Sequence, residues 1–342
     1  MSMVIETGLL GHALLVVVTA LFIWVGSGWL ERGSEELAGH YGLPAVVQGS
    51  VVVAVGSSFP ELVTVVVTAL SGVPDMGVGG IVGSAVFNVL VIPAAAGLAT
   101  ASAIESSRTI VYKEAQFYMI AVSALIVTFA LAVIYEPVTT SGELVGNITR
   151  PLALIPLALY GLYLFIQYQD VSDAAQPTEP TDSVSRMWGL LGGGLLIILV
   201  SVHQLVASVE SLSTAFGVPE FMAGVTIIAA ATSLPDTLVS VRSAKGGNGS
   251  TSLGNVLGSN TFDLLVAIPI GVLIAGKIAV NFAVAAPMMG VLTVATILLF
   301  TVLRTELTLT TTESLALLGA YFVFVGWVAA ESMGLSHLIR GA

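Results

Sequence analysis

Long apolar stretches separated by short polar segments run the length of this chain. They place ten hydrophobic spans at 9–30, 44–70, 77–99, 115–135, 150–168, 187–208, 218–242, 252–275, 282–303 and 312–332. Each is close to the roughly 20 apolar residues that a helix needs to cross a bilayer. The runs are continuous and do not alternate with period two, which excludes a transmembrane β-barrel. The pattern predicts an all-α polytopic membrane protein of about ten transmembrane helices. Segment 169–186, rich in Asp, Pro, Thr and Ser, separates a first five-span half (1–168) from a second (187–342).

Polar positions inside the apolar runs repeat. Gly56-Ser57-Ser58-Phe59-Pro60-Glu61 is matched by Ala231-Thr232-Ser233-Leu234-Pro235-Asp236, and Gly83-Ser84-Ala85-Val86-Phe87-Asn88 by Gly258-Ser259-Asn260-Thr261-Phe262-Asp263. Every pair is offset by 175 residues, and Pro44/Pro219, Gly49/Gly224, Leu90/Leu265 and Val91/Val266 keep that offset. Five spans per half is an odd number, so the second copy enters the membrane from the opposite side. Two inverted five-helix repeats result, a common plan of secondary transporters.

Composition narrows the class further. Of 342 residues, 56% are hydrophobic and 9% charged, against about 25% charged in soluble domains. The absence of cysteine excludes disulfides, thiolate metal sites and cysteine nucleophiles. His12, His40, His203 and His337 are scattered. The net charge of -11 comes mostly from acids outside the spans, among them Glu31, Glu35, Glu36, Asp170, Asp173, Glu179 and Asp182, read as solvated surface. No basic nucleic-acid footprint is present, no cofactor motif is found, and no obligatory protein partner is expected beyond the bilayer.

Arg32, Arg108, Lys113, Arg186, Arg242, Lys245 and Arg304 fall on one side of the alternating loops; Arg150, Lys277 and Arg340 fall on the other. The positive-inside rule makes the first side cytoplasmic. Both termini are then expected outside a cell membrane and the 169–186 linker inside. The first apolar run lacks a basic lead-in and reads as an uncleaved span.

The repeated blocks carry the chemistry. Side chains three and four apart share a helix face. Ser57 and Ser58 so accompany Glu61, Thr232 and Ser233 accompany Asp236, Ser84 accompanies Asn88, and Ser259 accompanies Asp263. Pro60 and Pro235 cannot donate to the carbonyls four residues back. Freed carbonyls and carboxylates are hard oxygen ligands suited to Ca²⁺ or Na⁺. An acid at the centre of a span costs roughly 3 kcal/mol on insertion scales. None of the blocks contains a base; Arg242, the nearest, is six residues past Asp236, about 9 Å along a helix. Glu61, Asp236 and Asp263 therefore call for an external cation or protons. Gly77, Gly79, Gly80, Gly83, Gly254 and Gly258 read as close-packing sites.

These blocks resemble the α-repeats of the calcium/cation antiporter superfamily, in particular its sodium/calcium exchangers, whose pattern is Gly-Thr-Ser-x-Pro-Glu followed by Gly-Ser-Asn-x-Phe-Asn/Asp. The resemblance implies that spans two, three, seven and eight surround a midplane ion site and that spans one and six slide across them. By the same resemblance, Glu61 and Asp236 hold Ca²⁺ and share Na⁺. Ser57, Ser58, Ser84, Thr232, Ser233 and Ser259 supply hydroxyls, Asn88 and Asp263 complete the centre, and Ala54 and Ala229 lend backbone carbonyls. Three departures stand out. Asp236 replaces a common Glu and resembles the potassium-dependent branch, which keeps K⁺ co-transport open. Ser57 replaces Thr, and Ala85 replaces the first-half Asn. The linker is too short for the calcium-sensing domains of the family.

The expected function is secondary antiport of Ca²⁺ for Na⁺ by alternating access, without enzymatic activity. The alternatives are a Ca²⁺/H⁺ antiporter, with buried carboxylates carrying protons, and more remotely an intramembrane aspartyl protease built on Asp236 and Asp263.

Overall fold

Backbone in hydrocarbon must satisfy its own N–H and C=O groups, so uninterrupted apolar runs become helices. The computed structural model describes residues 7–41, 54–100, 103–138, 144–169, 183–337 and 339. Among them, eight helices are long and apolar enough to span a membrane. Those of the first half are α1 (Leu9–His40), α4 (Pro74–Ala99), α5 (Ala115–Tyr135, extended at its start by a π-helical turn) and α6 (Arg150–Gln169). The second half supplies α7 (Val184–Phe216), Gly249–Ala275, α13 (Phe282–Arg304) and α14 (Thr311–Ser332).

A ninth span is a bent pair, Glu220–Thr232 and Leu234–Lys245, with 45° between its parts. It comprises α8 (Glu220–Ala223), a π turn (Gly224–Ile228), α9 (Ala229–Thr232) and α10 (Leu234–Lys245). The span expected at 44–70 is described from Ala54 onward and is broken at the matching place, as α2 (Ala54–Ser57) and α3 (Phe59–Ser71). Pro44 and Gly49 lie outside the described residues. Both breaks have one cause. Pro60 and Pro235 sit in the first turn of α3 and α10, where a missing N–H is tolerated, and they end the helix before them.

Some boundaries differ from the hydropathy reading, most of all those of α1 and α7. Helix α1 continues to His40, past the expected end at 30, and α7 covers more than the expected 187–208. Hydropathy marks the hydrocarbon, whereas a helix can continue through the headgroups on helix-forming residues such as Glu35 and Glu36. Gln169 ends α6 and Val184–Arg186 open α7, and 170–182 of the linker lie outside the described residues.

Helices α1 and α7 cross at small residues. A Cβ on Gly194 would lie 2.6 Å from the Gly26 carbonyl oxygen, and one on Gly33 would lie 2.8 Å from the Met187 carbonyl oxygen. Such close backbone approach suits helices in lipid, where packing drives association. The pair contributes Ile23, Leu30, Ile198, Val202 and Leu205 to an apolar cluster that also takes Val63, Val67, Met76, Ala223 and Ile228 from the broken spans and α4. Most of the other buried apolar side chains form a second, larger cluster. Helix α4 lies against the start of the seventh span: a Cβ on Gly79 or Gly83 would collide with the carbonyls of Phe221 or Val225. Gly77 is packed against Thr68 and Gly80 against Ile228, whereas Gly254 and Gly258 have nothing within 4 Å among the described residues.

Two short ribbons, not foreseen from hydropathy, tie the halves together. β1 (Ile104–Glu105) pairs antiparallel with β4 (Thr308–Leu309), and β2 (Val145–Thr149) with β3 (Lys277–Asn281). β1 and β3 each precede the fourth span of their half, and β2 and β4 each precede the fifth. The cross-pairing is what a two-fold relation between inverted halves produces.

Candidate cation-binding site

Four helical segments deliver the site. Ser57 ends α2, Ser58 is the break, and Glu61 lies in the first turn of α3. Thr232 ends α9, Ser233 is the break, and Asp236 lies in the first turn of α10. Helix α4 supplies Ser84 and Asn88. Helix α11 (Gly249–Phe262) supplies Ser259, and Asp263 opens the π turn Asp263–Ala267 that follows it, before α12 (Ile268–Ala275). Glu61 and Asp236 thus sit at helix N-termini, where the dipole favours negative charge, and π turns often mark functional positions.

The ten candidate side chains other than the two alanines are all at most 1% exposed, so water does not screen them. Most of them take part in two hydrogen-bonded groups, one around Glu61 and one around Asp236, and each group draws on both halves. Ser84 Oγ meets Ser233 Oγ at 2.7 Å and donates to Glu61 Oε1 at 3.4 Å. Ser259 Oγ donates to Asp236 Oδ1 at 3.1 Å, the counterpart 175 residues on, and meets Ser57 Oγ at 3.4 Å. Ser57 also faces the Asp236 carboxylate. The Thr232 hydroxyl faces the Ile228 carbonyl at 3.1 Å and also the Glu61 carboxylate. Asn88 Nδ2 donates to Asp236 Oδ2 at 3.2 Å.

The symmetry fails at one point, and the failure is informative. Asn88 offers Asp236 a proton donor, but its counterpart Asp263 offers Glu61 a second negative charge. Among the described residues, the partners of Glu61, Asp236 and Asp263 are hydroxyl, amide and backbone groups and other acids, with neither Arg nor Lys among them. Glu61 Oε2, both Asp263 carboxylate oxygens, Asn88 Oδ1 and Ser58 Oγ are buried without a hydrogen-bond partner among the described residues. Ser58 faces Asp263 without reaching hydrogen-bond geometry. Among the described residues, no three His, Asp or Glu side chains gather tightly enough to hold a metal alone. The donor set is therefore mixed: carboxylate, hydroxyl and amide oxygens, the chemistry of a hard cation.

The backbone positions differ from the side chains. The Ala229 carbonyl accepts from Ser233 N at 3.0 Å and from Thr232 Oγ1 at 3.4 Å, so it is already engaged within its helix. Ala54 starts α2.

Two groups were missed in the sequence. Asn260 and Tyr118, both buried, bind each other beside Asn88; the repeat comparison exposed the asymmetry with Ala85 but not its use. Glu31, read as solvated surface, is half-buried with its backbone against Gly56, and the charges of Asp236 and Arg242 act on it. Span-by-span hydropathy placed it beyond the membrane, so its neighbours could not be seen.

The family model described as "Sodium/calcium exchanger protein" matches residues 11–169 and 186–330. The chain belongs to the sodium/calcium exchanger family. Members of the family are transporters, not enzymes, which removes the aspartyl protease alternative. Relatives include an uncharacterized membrane protein of Methanocaldococcus jannaschii, 28% identical over 82% of this chain and 86% of that protein. A sodium/calcium exchanger of Methanosarcina acetivorans is 23% identical over 74% of this chain and 80% of that protein. The solved structure of the sodium-calcium exchanger NCX_Mj, soaked with Na⁺ and Sr²⁺, superposes with a TM-score of 0.62 at 22% identity, covering 93% of this chain and 99% of that one. That likeness concerns the fold: an all-α, multi-pass membrane protein of two inverted five-helix repeats. The family's activity is cation exchange involving Ca²⁺.

Proposed function

We propose that the protein exchanges Ca²⁺ for Na⁺ at the buried site formed by Glu61, Asp236, Asp263, Asn88 and the surrounding hydroxyls. One observation carries this reading: Glu61 and Asp263 face each other deep in the protein without a base, and their neighbourhood holds five oxygens that accept no hydrogen bond. Two like charges in low dielectric repel strongly. A divalent cation neutralises the pair, and so do monovalent cations taken in greater number. Competing occupancy couples the two flows, because one set of oxygens serves both ions. The α1–α7 pair, which packs on the broken spans and α4 through a shared apolar cluster, is the element that exposes the site to alternate sides. The positive-inside bias supports termini outside and the 169–186 linker in the cytoplasm.

A second reading is K⁺ co-transport. Asp236 stands where Glu would reach one methylene farther, and a stretch of 122 residues, 34% of this chain, is 39% identical to human sodium/potassium/calcium exchanger 3. The experiment is ⁴⁵Ca²⁺ uptake into proteoliposomes with Na⁺, K⁺ and pH gradients varied independently. Uptake driven by an outward Na⁺ gradient is expected, and a Glu61→Gln variant is expected to lack it. Uptake that follows a pH gradient without Na⁺ selects Ca²⁺/H⁺ exchange instead, and uptake equal to that of Glu61→Gln under every gradient ends the proposal.

A further inference from the structure

The orientation of the Asn88 amide decides whether that residue attracts or repels a cation, because its oxygen accepts and its NH₂ only donates. Two backbone carbonyls set this orientation through a chain of buried groups. The first is that of Ala85, an oxygen that can only accept. Asn260 reaches it at 3.1 Å, so the atom there is Nδ2. The second anchor is the Leu292 carbonyl, which takes the Thr296 hydroxyl proton at 2.7 Å. Thr296 faces the Tyr118 hydroxyl. With its own proton committed, Thr296 offers Tyr118 no donor, and the Tyr118 oxygen accepts from Asn260 Nδ2 at 3.1 Å.

Both protons of the Asn260 amide nitrogen are then used, and its oxygen points the other way, at Asn88. That oxygen can only accept, so the Asn88 atom 2.9 Å from it is Nδ2. The same nitrogen gives its second proton to Asp236 Oδ2 at 3.2 Å. What remains is Asn88 Oδ1, buried and without a hydrogen-bond partner. Asn88, Asn260 and Tyr118 are all fully buried, so water cannot substitute for a lost link.

We infer that Asn260 is a positioning residue that, through Ala85 and Tyr118, holds the Asn88 amide with its oxygen toward the transported cation. Residues 85 and 260 are repeat counterparts, 175 apart. One half uses its backbone there, and the other its side chain, so the departure at Ala85 has a structural use. The inference rests on the reading of Asn88 as a ligand of the ion.

The test is Na⁺-gradient-driven ⁴⁵Ca²⁺ uptake by the full chain in proteoliposomes, separating Ca²⁺ KM from maximal rate. Asn88→Ala is expected to raise KM. Asn260→Leu, and Asn260→Ser as a smaller change that keeps the fold intact, are expected to raise it by roughly tenfold or more, the usual range for groups that orient a ligand. Tyr118→Phe is expected to change it less, since the Ala85 link survives. In an Asn88→Ala background, Asn260→Ser is expected to add nothing; a residue that only supports packing would add its full effect there. An unchanged KM in both Asn260 variants, or full additivity with Asn88→Ala, overturns the inference while leaving the ligand reading in place. An unchanged KM in Asn88→Ala overturns that reading itself.

Discussion

At the scale of single residues, the site is defined by what its acids lack. Leaving a buried polar group unpaired costs about 1–3 kcal/mol, and Asp263 has two such oxygens facing a second acid. Asp263→Asn removes the repulsion and supplies a donor to Glu61. In the absence of Ca²⁺ and Na⁺, that variant is expected to melt several degrees higher than the parent in detergent, with exchange much reduced. A lower melting temperature would mean that Asp263 and Glu61 are not in conflict. These acids were legible in the sequence because apolar flanks made them conspicuous and the 175-residue repeat paired them. Asn260 was not, because an amide in a span is unremarkable until its partners are known. Glu31 was hidden for the opposite reason: its charged neighbours Arg32, Glu35 and Glu36 make it look solvated.

At the scale of elements, two features do most of the positioning: the proline breaks and the glycine crossings. Pro60→Ala returns an N–H that can bond the Gly56 carbonyl and extend the helix through Ser58. The variant is expected to remain folded, with transport cut by about tenfold or more through misplaced oxygens. Normal transport would show that the break does not depend on proline. At Gly194 the constraint is steric. A Cβ would press on the Gly26 carbonyl at 2.6 Å and on the Leu30 amide nitrogen at 2.7 Å. Gly194→Val is expected to destabilise by at least the ~1–3 kcal/mol typical of overpacking, read as a lower melting temperature. An unaltered melting curve would mean that α1 and α7 separate at little cost. The breaks could be read from Pro60 and Pro235 because proline chemistry is local. The crossing at Gly26, Gly33 and Gly194 could not, because partners in space leave no mark on either sequence segment.

At the scale of the whole molecule, the two halves are joined by symmetry. Repeat register, broken spans at equivalent positions, matched serine–carboxylate bonds at Ser84 and Ser259, and cross-paired ribbons all express one inverted duplication. Span number and duplication were visible in the sequence because hydropathy and a constant offset survive without structure. The ribbons were not, because strands of two and five residues are shorter than any pattern that marks them. Ligand binding to the folded state adds about 2.7 kcal/mol at a hundredfold excess over Kd. Chelating Ca²⁺ in Na⁺-free detergent is therefore expected to lower the melting temperature, and Na⁺ to restore part of the loss. The Glu61→Gln variant is expected to show neither shift; equal shifts in both proteins would place the stabilising ions elsewhere.

In the proposed function, cations that compete for one cavity neutralise Glu61, Asp236 and Asp263. Equilibrium binding of ⁴⁵Ca²⁺ to the purified protein, with Na⁺ titrated against it, tests this most directly. Saturable Ca²⁺ binding, displaced by Na⁺ with a Hill coefficient above unity and abolished in Glu61→Gln, is the expected result. Ca²⁺ binding that Na⁺ cannot displace, or that survives Glu61→Gln unchanged, would contradict it.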